Sequence, residues 1–136
     1  MSQENVERLR ALYTKWETGD FRDSEKLFAP GVAFDPGSPG DKPMHGIDEV
    51  QSHFREFLRQ WDGFRIVAED LSTIGSTEEG DEMVLVVERQ YGTGTTSGVP
   101  IDQTFYSVWT FHGGLVVSAL WKTDREAALR AAGLAQ

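Results

Sequence analysis

The chain contains no cysteine in 136 residues, which excludes disulfides, thiolate metal sites and a cysteine nucleophile. It has no apolar run near the roughly 20 residues that a bilayer-spanning helix needs. Its opening residues, Met1-Ser2-Gln3-Glu4-Asn5, lack the basic and then apolar stretch of a secretory signal, so a cytoplasmic location is expected. Basic residues are scarce: 13 Lys and Arg stand against 22 Asp and Glu, a formal net charge of -9. Nucleic acid and anionic membranes bind through clustered Lys and Arg, so neither is an expected partner. Proline is sparse too, and three of the five fall between Pro36 and Pro43, which marks that segment as a loop.

What remains is a strongly patterned chain, long enough for one domain over residues 1–136 and too short for two. Val6, Leu9, Leu12, Tyr13 and Trp16 recur at helical spacing and predict a first helix ending at Gly19. A shorter helix is predicted over about Arg22–Ala29, stopped by Pro30-Gly31. The apolar run Val32-Ala33-Phe34 and Asp35 then read as a short strand. Val50, Phe54, Phe57, Leu58 and Trp61 predict a third helix. From Phe64 the period becomes two. Phe64–Ile74, Met83–Tyr91, Ile101–Phe111 and Leu115–Trp121 are rich in Val, Ile, Thr and aromatics and are separated by Gly-rich turns, which predicts an antiparallel meander. Thr123 and Glu126 have the spacing of a capping box for a last helix reaching Ala132. Helices first and strands afterwards indicate an α+β fold.

Asp35 is the leading candidate for chemistry. A carboxylate carried by a short apolar strand and partly withdrawn from water has its pKa raised toward the working pH, where it serves as a general base. The blander alternative is a turn carboxylate that caps the backbone of the Pro/Gly loop. Glu88 and Arg89 are adjacent and so point to opposite faces of their strand, and alternation alone leaves open which faces inward. Asp102 lies within reach of Arg89 across the hairpin as an exposed ion pair. His45, His53 and His112 have no ligand spacing, so no metal site is expected. Glu78-Glu79-Gly80-Asp81-Glu82 reads as a solvated acidic turn.

The order of these elements, with Gly19-Asp20, Leu27-Phe28-Ala29, Phe34-Asp35-Pro36, Gly46, Val108-Trp109-Thr110-Phe111, Gly113-Gly114 and the tail Thr123-Asp124-Arg125-Glu126-Ala127-Ala128-Leu129, resembles the nuclear transport factor two-like superfamily. Within it the chain is most similar to SnoaL-like and ketosteroid isomerase-like proteins, and the likeness covers nearly the whole sequence. The resemblance implies a strongly curved antiparallel sheet wrapped as a cone around N-terminal helices, a pocket at the open end, and a homodimer. It also implies Asp35 as the base, since those isomerases place an aspartate followed by proline after their second short helix. Their oxyanion hole, built from a tyrosine and a protonated aspartate, is not matched. Leu12 stands at the tyrosine's place with Tyr13 one residue out of register, and Ser107 stands roughly where the acidic donor belongs.

Strand parity adds a candidate pocket. Gln103, Phe105, Ser107, Trp109 and Phe111 share one face of their strand, and the resemblance makes that face the concave one, joined by Val117, Ala119 and Trp121. With Tyr13, Trp16, Phe34, Phe54, Phe57 and Trp61, these residues make an aromatic cavity for a small hydrophobic molecule. The expected function is a cofactor-independent isomerase or cyclase in which Asp35 moves a proton next to a carbonyl. Tyr13, Ser107 or an indole N–H of Trp109 or Trp121 would then steady the developing enolate oxygen. The alternatives are a non-catalytic ligand-binding or dimerisation module and, more distantly, an epoxide hydrolase-like site using Arg89.

Overall fold

The computed structural model of the chain describes residues 2–37, 42–77 and 79–134. Helix α1 (Ser2–Trp16) buries Leu9, Leu12, Tyr13 and Trp16, the i, i+3, i+4 and i+7 positions of one face. Its chain leaves through Gly19 at φ 86°, a left-handed conformation that glycine adopts without strain.

The second helix of the sequence reading is not formed. A 3-10 turn spans Ser24–Leu27, and strand β1 (Phe28–Asp35) begins at the next residue, taking in Ala29, Pro30 and Gly31. Pro30 has no N–H to give a ladder, and the pairing of β1 with its neighbour is interrupted between Phe28 and Ala33, where none is asked of it. Of the Pro36–Pro43 loop, residues 38–41 lie outside the described residues. A two-residue strand, β2 (Met44–His45), follows it, unforeseen from sequence, and helix α2 (Ile47–Leu58) comes next. Trp61 fits the helical spacing of α2, yet it is the first residue of β3 (Trp61–Ser76), because the helix is capped at Arg59 and the chain reverses there.

Strands β3, β4 (Glu82–Gly94), β5 (Pro100–His112) and β6 (Leu115–Lys122) form the expected antiparallel meander. Strand β1 then joins β6 in parallel, so the six-stranded sheet runs β2-β1-β6-β5-β4-β3 and is mixed at that one junction. Three register shifts in the β3–β4 ladder bend the long strands, as bulges do, and curl the sheet around α1 and α2. The result is an α+β cone with an open end.

Both faces of the sheet are apolar. Inside, Val84, Val86, Trp109, Phe111 and Ala119 join the main core beneath α1. Outside, Met83, Leu85 and Val108 pack with Ala128 of helix α3 (Arg125–Ala131). The N-cap of α3 is Asp124, whose Oδ2 accepts the Ala127 N–H at 3.3 Å, and not Thr123 as the capping-box pattern predicts. A bulge between Thr110 and Phe111 of the β5–β6 ladder also changes the inward parity of β6. Val116, and not Val117, enters the core together with Ala119 and Trp121. In the acidic turn, Glu78 lies outside the described residues.

Candidate functional site

The inward parity of β4, set by Val84 and Val86, carries on to Glu88 and Gln90 and turns Arg89 out. Glu88 is consequently a carboxyl group with no exposed surface, placed between α1, β5 and β6. A buried carboxyl must be met by donors, and four converge on it. Its Oε1 accepts the Tyr13 hydroxyl at 2.5 Å and the Ser107 hydroxyl at 3.0 Å. Its Oε2 accepts a Gln90 amide N–H at 2.6 Å and the Trp121 indole N–H at 3.1 Å. Behind them the Trp109 indole N–H is shared between the Tyr13 and Ser107 oxygens, at 3.1 and 3.0 Å.

Burial pushes the Glu88 pKa up, and the four donors, Tyr13 foremost, pull it part of the way back. Tyr13 is raised well above its ordinary 10.0, first by burial and then by the charge and hydrogen bond of Glu88. Tyr13, Ser107 and the first carboxylate oxygen form a closed triangle, Tyr13 lying 3.2 Å from Ser107. Two hydrogens fill that triangle when Glu88 is ionised and three when it is protonated, so neither state strands a donor.

Gln90 and Trp121 face two ways. They contact Glu88 on one side, and on the other they line a cavity of about 540 Å³ opening at the mouth of the cone. Its walls carry Trp16, Phe28, Phe34, Phe54, Phe57, Trp61, Phe105 and Trp121, with polar groups from Gln60, Gln90, Gln103, His53 and Glu56. The Trp61 indole N–H is sealed from solvent and has no hydrogen-bond partner among the described residues.

Of the sequence-predicted site, the structure therefore gathers Trp16, Phe34, Phe54, Trp61, Gln103, Phe105 and Trp121 around one cavity. Tyr13, Ser107 and Trp109 lie deeper, behind the aromatic wall, and meet Glu88 instead of the cavity surface. Asp35 is half-buried at the end of β1 and is not among the lining residues, although Phe34 and Pro36 on either side of it are. Phe34 is in register with Ala119 of the inner core, whereas Asp35 is in register with Leu120, which belongs to the outer cluster. The Asp35 Oδ1 accepts the Gly37 N–H at 3.0 Å, a short-range carboxylate turn. Arg89 and Asp102 form a two-pronged ion pair at 2.6 and 2.8 Å on the exposed face, with Arg89 also 4.9 Å over the Tyr91 ring, so they take no part in the cavity.

Glu88 and Gln90 were not singled out as site residues by sequence. In Val84-Leu85-Val86-Val87 both faces of β4 are apolar, because α3 covers the outer one, so alternation offers no inward phase. The clue available was the pair itself, two polar side chains at i and i+2 closing an apolar strand.

A profile of the SnoaL-like domain family matches residues 9–119. No curated protein matches the chain. Among solved structures, a candidate SnoaL-like polyketide cyclase from Jannaschia sp. superposes with a TM-score of 0.76 at 19% identity, covering 96% of this chain and 92% of that one. A protein of unknown function from Burkholderia pseudomallei, described as nuclear transport factor two-like, gives 0.73 at 23% identity, with 96% and 97% covered. A Catenulispora acidiphila protein with a ketosteroid isomerase-like fold, solved with trimethylamine, gives 0.68 at 14% identity, with 98% and 95% covered. At these identities the superpositions establish a shared fold.

Proposed function

The chain belongs to the SnoaL-like domain family, and on that premise we propose that its cone binds a small, largely apolar molecule. The supporting observation is the cavity: about 540 Å³ with eight aromatic walls and a few amide groups. Burying an apolar ligand of naphthalene size there removes on the order of 300 Å² of hydrocarbon from water, about 7 kcal/mol before the costs of association. The neutral dye N-phenyl-1-naphthylamine, which fluoresces in apolar sites, should bind saturably at one per chain. Phe105→Glu, which places a charge on the half-buried wall, should abolish the signal; a dye titration with no saturation would overturn the reading.

A catalytic version is favoured by one observation, that Asp35 stands between two cavity-lining residues, Phe34 and Pro36. In it the carboxyl leaves the Gly37 N–H, turns to the cavity and shuttles a proton next to a carbonyl. The description of the Jannaschia relative as a candidate cyclase supports this chemistry class. Asp35→Asn keeps the turn acceptor and removes the base, so unchanged turnover of an identified substrate would leave Asp35 as a turn residue only. Homodimerisation is part of the same reading, and a light-scattering mass of one chain, 15.2 kDa, would remove it. Among the described residues no helix is long and apolar enough to cross a membrane; a cytoplasmic site of action belongs to the proposal.

A further inference from the structure

Among the described residues, Gln90 is the one cavity amide whose orientation is dictated from behind. A carboxamide offers N–H on one end and C=O on the other, and it turns whichever end its neighbours demand. Here the demand comes from Glu88 Oε2, which takes the Gln90 N–H at 2.6 Å. The other partner of that oxygen, the Trp121 indole, can only donate. A proton on Glu88 fits on Oε1, where it supplies the third hydrogen of the triangle with the Tyr13 and Ser107 oxygens; on Oε2 it would turn Gln90 about and leave that third edge empty. Oε2 remains an acceptor in both protonation states, and Gln90 stays as it is. Its carbonyl oxygen is left over: among the described residues nothing donates to it, and it is not sealed away.

Gln103, opposite Gln90 in the β4–β5 register, has no such anchor among the described residues and is free to present either end. Charge adds a second constraint. The lining includes Glu56 and no Lys or Arg, and Glu88 lies directly behind Gln90 and Trp121. An anionic ligand would lose its hydration with no Lys or Arg among the described lining residues to meet it, His53 being the one basic side chain there.

We propose that the cavity selects neutral apolar molecules bearing an O–H or N–H donor, with the Gln90 carbonyl oxygen as the acceptor that reads it and Glu88 as the positioning residue behind Gln90. This rests on the reading that the cone binds an apolar molecule, and it narrows the class from any such molecule to phenols, alcohols and their N–H analogues.

The test is calorimetric titration of the intact chain with naphthalene, 2-naphthol, 2-methoxynaphthalene and 2-naphthoate. The methyl ether is the more apolar of the middle pair, so a cavity that only collects hydrocarbon prefers it. The proposal expects the reverse: 2-naphthol tighter by about 3- to 10-fold, the worth of one hydrogen bond, and 2-naphthoate at least about tenfold weaker than 2-naphthol. Gln90→Met should bring the naphthol-to-ether ratio to one or below. Glu88→Gln should keep the preference, since its amide oxygen can still accept from Gln90 and Trp121, whereas Glu88→Met frees Gln90 and should lose it. A purely structural role for Glu88 would lower the affinity for all four probes together and leave the ratio alone. The native ratio decides even if a variant fails to fold. If the ether binds as tightly as the naphthol, if the naphthoate binds equally well, or if the preference survives Gln90→Met, the assignment is overturned while the apolar-cavity reading stands. If none of the four binds, both fall.

Discussion

Replacing Glu88 by Gln turns the buried carboxyl into a neutral near-isostere of its own protonated form, and the difference between the two proteins should depend on pH in one direction only. In Glu88→Gln the amide NH2 can face the Tyr13 and Ser107 oxygens and the amide oxygen can face Gln90 and Trp121, which is where the proton and the free acceptor lie in protonated Glu88; the second amide hydrogen is one more than the triangle takes, a cost that does not vary with pH. Burial raises the folded-state pKa of Glu88 above its ordinary 4.5, so the folded chain holds this proton more tightly than the unfolded chain does. Its contribution is fully present below the ordinary value and is lost as pH rises through the folded-state value. Across that interval native stability should fall, relative to the variant, by as much as about 1.4 kcal/mol per pH unit, the limit for one proton. Tyr13, pushed well above 10, titrates beyond the range. Asp20, held near 2 by Arg22, and Asp102, lowered by Arg89, titrate beneath it and cancel in the difference. Urea denaturation of both proteins at pH 4, 5, 6, 7 and 8 measures the effect, each pair compared at equal m-value. A difference that stays flat from pH 4 to 8 would refute the claim that Glu88 binds its proton more tightly in the fold.

Leu9 has no exposed surface and sits at the centre of the buried face of α1; Leu9→Ala should cost about 2–5 kcal/mol in chemical denaturation, chiefly as an unfilled cavity. Gly37 has φ 77°, and a Cβ there would lie 1.9 Å from the Trp121 carbonyl oxygen. Gly37→Ala should therefore lose more than the roughly 1–2 kcal/mol of left-handed strain and weaken dye binding as well, because Trp121 lines the cavity; thermal melts and the dye titration report the two effects separately. The exposed Arg89–Asp102 pair should show a coupling under about 1 kcal/mol in a double-mutant cycle, shrinking further in 1 M salt.

The architecture was open to reading because its periods are clean. Leu9, Leu12, Tyr13 and Trp16 keep one helical face, and the β3–β6 strands stand out as runs rich in β-branched and aromatic residues between Gly-rich turns. Where the reading failed, a local pattern met a tertiary demand. Pro30-Gly31 looks like a helix stop, but a gap in the β1–β6 ladder absorbs both residues. Trp61 continues the spacing of α2 only by coincidence of a reversal two residues after its cap. Inward parity and helical spacing are enough to bring Trp16, Phe34, Phe54 and Trp121 forward from sequence, and in the structure all four border one cavity. They do not bring Glu88 forward, because its direction depends on which side of the apolar run at residues 83–87 faces α1. For Asp35 the deciding fact is the register with Leu120, a relation between residues 85 positions apart.

The parallel pairing of β1 with β6 also puts a clock on the making of this protein. Strand β1 leaves the ribosome early, carrying Phe28 and Phe34, and its main partner does not exist until about 80 residues later. At roughly 5–20 residues per second this is a wait of about 4–16 s, with only the two residues of β2 available for pairing meanwhile. Two aromatic rings destined for the cavity wall spend that interval without the strand that will hold them. The nascent chain is thus most vulnerable to wrong association before Leu115 is added, and a messenger that slowed translation between β2 and β6 would be expected to lower the yield of folded protein.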